Sequence, residues 1–123
     1  MLIVEDDELR CEWFRGRLSA CDLDITCDAG EAVRWLAEKQ FDLILLDHDL
    51  REEHYWSDER DDERTGYGVA AWLAAHRDAQ PRGAVVIHSL NYAGAERMLA
   101  ALLAAGFDAE CIPFHHLQSG LKF

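Results

Sequence analysis

The stretch FDLILLDHDL, residues 41–50, decides the fold. Residues 41–47 form an apolar run without polar alternation, the pattern of a strand buried on both faces of a parallel sheet. The run ends abruptly in Asp47, His48 and Asp49, which places polar chemistry at the strand's carboxyl end. Working outward, similar strands are predicted at 1–4, 23–27, 84–89 and 110–114, with helices at about 7–20, 30–39, 66–78 and 93–105. Leu9, Trp13, Phe14 and Leu18 on the first helix, and Val69, Trp72 and Leu73 on the third, recur at the spacing of a core-facing stripe. Gly106 fits a C-terminal cap of the fourth. This alternation predicts a doubly wound parallel five-stranded α/β sheet, residues 1–123 making one domain. Two irregularities accompany it. A charged connection, 51–65, is far longer than the usual αβ linker and is either a solvated excursion or a lid. After Pro113 only HHLQSGLKF follows, interrupted by Gly120, so the fifth helix is expected to be short or absent.

The 123 residues carry 24 acidic side chains against 12 Lys and Arg, a net charge of −12. That balance argues against non-specific binding to nucleic acid or to an anionic membrane, where basic patches supply the affinity. No segment is long and apolar enough to span a bilayer, and the N-terminal residues run straight into acids, unlike a signal peptide. Cys11, Cys21, Cys27 and Cys111 lack C-x-x-C spacing, which predicts reduced, mostly buried thiols in a cytoplasmic protein.

In open α/β sheets ligands bind beyond the strands' carboxyl ends, where the strand order reverses. Strand one delivers Glu5, Asp6 and Asp7 there, strand three Asp47, His48 and Asp49, and strand four His88 and Ser89. In the order 2-1-3-4-5 these strands are neighbours and the residues converge. Carboxylates held together repel, and a hard divalent cation, Mg²⁺ being the expected one, relieves the repulsion. The plainer account of the first cluster is a helix cap, and it does not explain why acids recur after strand three. His48 and His88 are either satisfied structural histidines or chemical groups, whereas His54, His76, His115 and His116 are expected on the surface. In HSLNYAGAERM, 88–98, Ser89 and Asn91 offer hydrogen bonds, Gly94 permits close backbone approach at a helix N-terminus, and Arg97 is placed either to pair with phosphate or with surface acids. Thr65 is a suitable cap for the third helix.

With these residues in place, the sequence resembles a response-regulator receiver domain over nearly its whole length. LIVEDDE (2–8) resembles the receiver's first strand and acidic pocket, CDAGEAVRWL (27–36) its second strand-to-helix turn, and FDLILLD (41–47) the strand that ends in the phospho-accepting aspartate. Ser89 matches the hydroxyl position after strand four, and IPF (112–114) matches the lysine-proline-phenylalanine of strand five. The resemblance implies the flavodoxin-like order 2-1-3-4-5 and Mg²⁺ held by Glu5, Asp6 and Asp47 with the carbonyl of Asp49; which of Glu5, Asp6 and Asp7 form the acidic pair stays open, since the run can slide by one. Ile112 stands where receivers place a phosphate-pairing lysine, and Ala109 where they place the switch aromatic.

The trio LDHDL (46–50), TGY (65–67) and HSLNYAGAERM (88–98) is more narrowly similar to the cyclic-phosphate-processing receiver-like family of bacteria and phages. That resemblance implies a site that handles phosphate esters, such as cyclic phosphates at RNA ends or in nucleotides. Opening a cyclic phosphodiester needs one group to activate water and another to protonate the leaving oxygen, roles suited to His48 and His88. A metal held by Asp6 and Asp47, with Arg97, would stabilise charge on the phosphoryl oxygens; alternatively Asp47 attacks as a nucleophile. The alternatives to a metal-dependent phosphoesterase are a signalling receiver, phospho-accepting at Asp47 or inactive, and a non-catalytic interaction module. The acidic surface favours a phosphate-containing small molecule or a nucleic-acid end over a long strand as partner.

Overall fold

The computed structural model describes residues 1–50 and 65–120. Five strands, β1 (Leu2–Val4), β2 (Asp24–Thr26), β3 (Leu43–Leu46), β4 (Ala84–Ile87) and β5 (Ala109–Cys111), form one parallel sheet in the order β2-β1-β3-β4-β5. The helices are α1 (Glu8–Arg17), α2 (Ala29–Glu38), α3 (Gly66–Ala75), α4 (Tyr92–Ala104) and a two-turn α5 (Phe114–Gly120), so the fifth helix is indeed short. The expected 51–65 connection lies, apart from Thr65, outside the described residues, as does His54.

Alternation along the strands divides the core into two layers. On one face Leu2, Val4, Ile44, Leu46, Val85 and Ile87 pack against α2, α3 and α4. On the other Ile3 and Leu45 pack against Phe14 and Leu18 of the α1 segment and Leu117 of α5. Burial on both faces holds for β1 and for most of β3, whereas β5 is an edge strand with Glu110 and Cys111 exposed, which corrects the expectation from its short apolar run. β5 also ends earlier than expected. Ile112 and Phe114 still donate to the carbonyls of Ile87 (2.9 Å) and His88 (3.2 Å), but Pro113 has no N–H to offer and the chain turns into α5.

Leu9 is likewise corrected: it is 76% exposed. The buried face of α1 runs through Cys11 and Phe14, and Leu9, five residues before Phe14, sits about 140° around the helix. Cys11 is the buried thiol; Cys21 is half-buried and Cys27 and Cys111 are exposed, so the cysteines are free but not mostly buried. Asp7, Asp28, Thr65 and Asn91 cap the four main helices through their side chains. Gly106, at φ 89°, closes α4 in a Schellman motif, its N–H bonding Leu103 O while Phe107 N–H bonds Leu102 O.

Gln80 holds the α2–β3 junction and carried no signal in the sequence. Fully buried, it accepts from Phe41 N–H (2.8 Å) and donates to the carbonyls of Leu36 (2.9 Å) and Lys39 (2.6 Å). Gln80→Ala would strand three backbone groups, so urea denaturation is expected to show a loss of about 2–4 kcal/mol. A loss under about 0.5 kcal/mol would mean the junction is held by other contacts.

Candidate functional site at the strand carboxyl ends

The parallel register builds the site. Val4 pairs with Leu46 and Leu46 with Ile87, so the next residues, Glu5, Asp47 and His88, form a row across three adjacent strand ends. The ladder continues into this row, with Glu5 N–H bonding Thr26 O, Asp47 N–H bonding Val4 O and His88 N–H bonding Leu46 O, each at 3.0 Å. Being odd with respect to the Leu46 and Ile87 layer, Asp47 and His88 turn toward α1, where His88 meets the Phe14 ring edge-on at 5.5 Å. Glu5, Asp47 and His88 are 1%, 2% and 0% exposed. One potential ligand atom of each lies within 4.8 Å of the others, the described residues' one such trio of metal-binding side chains.

Glu5 anchors the row. Its Oε2 accepts the backbone N–H groups of Asp6 (3.0 Å) and Asp7 (3.3 Å), and its Oε1 faces His88 Nε2 (3.1 Å) and Arg10 Nη1 (3.3 Å). Arg10 Nη1 also stands 3.6 Å from Asp47 Oδ2, and the guanidinium carbon lies 5.3 Å from the centre of the Phe114 ring. Asp47 Oδ1 accepts from His48 N–H at 2.8 Å, while buried Oδ2 has no hydrogen-bond partner among the described residues. A divalent cation fits this donor set, because an orphaned carboxylate oxygen faces a second carboxylate with one positive side chain between them.

Arg10 is the residue missed by sequence reasoning. It sits in the first turn of α1, where its charge reads as one more helix-surface cation, and only the packing of Phe114 and the row of acids turns it over the rim. Ile112, at the position of the receiver lysine, instead packs with the Phe14 and Leu18 layer.

The other expected residues are distributed around this row. Asp6 is half-buried beside Glu5. Asp7 is exposed and caps α1, accepting from Arg10 N–H at 3.0 Å, so it does not join the cluster. His48 is on the opposite face from His88: its Nδ1 is 2.9 Å from Asp49 Oδ1, and a Cβ on Gly94 would come within 2.6 Å of its ring. The close approach permitted by Gly94 is therefore to an imidazole rather than to an anion. Asn91 reaches both His48 Nδ1 (3.3 Å) and Asp49 Oδ2 (3.4 Å) and caps Gly94 N–H (3.0 Å). Ser89 Oγ accepts from Asn91 N–H at 3.0 Å, and Thr65 Oγ1 from Tyr67 N–H at 3.2 Å. Arg97 is half-buried on α4; among the described residues the guanidinium that reaches Asp47 is that of Arg10. Gly66 is required where α3 meets the rim, since a Cβ there would fall 1.7 Å from the Asp47 carbonyl oxygen.

Burial, followed by the charge of Glu5 and a hydrogen bond with it, pushes the Asp47 pKa well above 3.8, against the pull of Arg10 and Ser89. Burial opposes ionisation of Glu5 too, but hydrogen bonds with His88 and Asp47 and the charges of His88 and Arg10 hold it at about 2. Within the pair, Glu5 is thus held ionised and ionisation of Asp47 is disfavoured. Burial and the Glu5 charge raise Asp6 to about 6. An open cleft of about 460 Å³ beside the row is lined by Glu5, Asp6, Glu8, Glu12 and Glu31 with Arg15, a setting that draws cations in and repels unescorted anions.

Residues 1–104 match the family described as "Cyclic-phosphate processing Receiver domain". The chain belongs to this family. No curated protein is recognisably similar in sequence. Among solved structures, the receiver domain is similar to a response regulator from Burkholderia pseudomallei, described with a phosphorylated aspartic acid, a calcium ion and citrate, at 16% identity and a TM-score of 0.63; 98% of this chain aligns with 65% of that one, less than two-thirds of its length. It is also similar to a CheY-like receiver domain from Methanospirillum hungatei JF-1 (18% identity, TM-score 0.62, 96% of this chain and 86% of that). A third is the receiver domain of sensor histidine kinase PA1611 from Pseudomonas aeruginosa PAO1, described with a magnesium ion in its active-site cleft (19% identity, TM-score 0.62, 96% and 89%). At these identities the likeness establishes the fold. Among the described residues of the receiver domain, no helix is long and apolar enough to cross a membrane.

The opposed shifts of Asp47 and Glu5 set a pH dependence. Its raised pKa contributes stability that is full below 3.8 and lost as pH rises through the raised value; the lowered pKa of Glu5 contributes stability present above 4.5 and lost as pH falls toward about 2. Asp47→Asn should therefore remove the decline that begins above pH 3.8 and leave the metal-free receiver more stable than the parent at pH 7. Urea titrations across pH check this, and a variant that keeps the parent's stability and its decline with rising pH would overturn the raised pKa of Asp47.

Proposed function

We propose that this receiver domain processes phosphate esters, cyclic phosphates foremost, at the Glu5–Asp47–His88 row. The observation that carries the reading is Arg10, a guanidinium held against buried Glu5 and Asp47 where a receiver's lysine is missing. Arg10 is placed to meet phosphoryl oxygens in the bidentate geometry that guanidinium favours. His88, fully buried and hydrogen-bonded to Glu5 on the same face, adds an imidazole nitrogen to the two carboxylates. A divalent ion held by Glu5, Asp47 and His88, with Mg²⁺ the expectation from the receiver resemblance, would supply charge stabilisation at the phosphoryl group.

His48 has a different part from the one its spacing suggested. With Asp49 and Asn91 it braces the rim under α4, and it faces away from the Phe14 layer that holds His88. His48 and His88 therefore do not form one acid–base pair on the same face, and His48 is a positioning residue. The acidic surroundings favour a nucleotide or a nucleic-acid end as substrate over a long strand.

A second reading is favoured by Asp47 Oδ2, a buried carboxylate oxygen with no hydrogen-bond partner among the described residues. By analogy with the Burkholderia regulator and its phosphorylated aspartic acid, Asp47 would accept a phosphoryl group and Arg10 would compensate its charge. One experiment separates the readings: incubation with divalent ion and a 2′,3′-cyclic nucleotide, and separately with a small acyl phosphate. Processing predicts turnover reduced about 100-fold or more in Arg10→Ala and His88→Ala, partly retained in Arg10→Lys, and reduced less in Asn91→Ala, which acts through His48. Phospho-acceptance predicts modified protein with the acyl phosphate, lost in Asp47→Asn, and no turnover. Neither result with either compound would leave an interaction module as the remaining function.

A further inference from the structure

We propose that the Glu5–Asp47–His88 site is a mixed nitrogen–oxygen site that takes a first-row transition-metal dication in preference to Mg²⁺. The inference rests on the metal-assisted reading above and refines which ion the site selects.

The donor set carries it. Mg²⁺ demands oxygen ligands and keeps much of its water, whereas imidazole suits the transition ions. Here two carboxylates and one fully buried imidazole are assembled in register. Of the neighbouring carboxylates, Asp7 caps α1 and Asp49 is held by His48 and Asn91 on the far face, while Asp6, beside Glu5, keeps a buried Oδ1 with no hydrogen-bond partner among the described residues and would add an oxygen next to the imidazole. Orphaned Asp47 Oδ2, on a side chain 2% exposed, is the second sign of a missing partner.

The spacing agrees. Bonds of about 2.0–2.2 Å place adjacent ligands of one ion roughly 3 Å apart and opposite ones about 4.2 Å apart. His88 Nε2 and Glu5 Oε1 are 3.1 Å apart, and the whole trio spans no more than 4.8 Å, so closure on one ion needs side-chain shifts of at most roughly 2 Å. The His88 ring meets the Phe14 edge and bonds Glu5 through Nε2; its Nδ1 has no hydrogen-bond partner among the described residues. Arg10 Nη1 touches the same Glu5 Oε1 and faces Asp47 Oδ2, so it competes with any ion for these oxygens without discriminating between ions. Its removal should tighten all divalent ions alike, whereas removal of His88 should erase the preference among them.

The test uses the full chain with Mn²⁺ and Mg²⁺ alone. Mn²⁺ is chosen because exposed Cys27, Cys111, His115 and His116 would take Zn²⁺ elsewhere. Affinities are read from the free-ion Mn²⁺ resonance, with Mg²⁺ as competitor, and bound nitrogen from ¹⁴N modulation of the Mn²⁺ electron spin echo. We expect ¹⁴N modulation in the parent protein and a preference for Mn²⁺ of at least about tenfold. We expect His88→Gln to abolish the modulation and shrink the preference to within about threefold, and Arg10→Ala to tighten both ions by a similar factor. The wild-type modulation stands even if His88→Gln fails to fold. Ion binding without ¹⁴N modulation overturns the inference and leaves the phosphate-processing reading standing. No ion binding in either the parent or Arg10→Ala overturns the inference together with the metal in that reading.

Discussion

Two carboxylates nearly excluded from water meet where β1 and β3 end, and the arrangement of the rim follows from keeping them there. Glu5 and Asp47 are neighbours because parallel pairing fixes the register, and once buried they cannot both ionise without help. Glu5 prevails because it collects two backbone N–H groups, His88 and Arg10. Asp47 is the harder of the two to ionise and has one oxygen without a hydrogen-bond partner among the described residues. A pocket in this state costs stability and offers binding, the balance expected at a functional site rather than in a structural core.

The counter-charges explain features that otherwise look like damage to the receiver pattern. Ile112, where receivers place a lysine, packs with Phe14 and Leu18, while the positive charge against the carboxylates comes from Arg10, beside the Phe114 ring at the start of the short α5. The guanidinium brings a planar fork in place of a point charge. On the opposite face His48, Asp49, Asn91 and Gly94 make a second polar knot that fixes the rim without entering the pocket.

Much of this was legible in the sequence. The strands, their order, the short fifth helix and the cap at Thr65 follow from periodicity, from the family resemblance and from capping chemistry. The edge character of β5 was not, because three short residues give too little pattern to separate an edge from the interior. Leu9 was misread because several apolar residues on α1 compete for one buried stripe. The separation of His48 from His88 could have been found: Asp47 and His48 are consecutive, so they take opposite faces, and the register that pairs Leu46 with Ile87 sets His88 beside Asp47.

The sequence by itself determined which residues reach the strand carboxyl ends, because a parallel sheet delivers whatever follows each apolar run to one rim. It determined that acids dominate there, and hence that a cation belongs in the account. The tertiary structure decided which of those residues share a face and what neutralises them. Asp7 became a cap, Asp49 a brace for His48, and Arg10 a partner of Asp47, because side-chain direction at a strand end and at a helix start depends on register and packing across segments distant in the chain. Local pattern fixes an element's type; only the assembled sheet and helices fix which charge stands 3 to 4 Å from which.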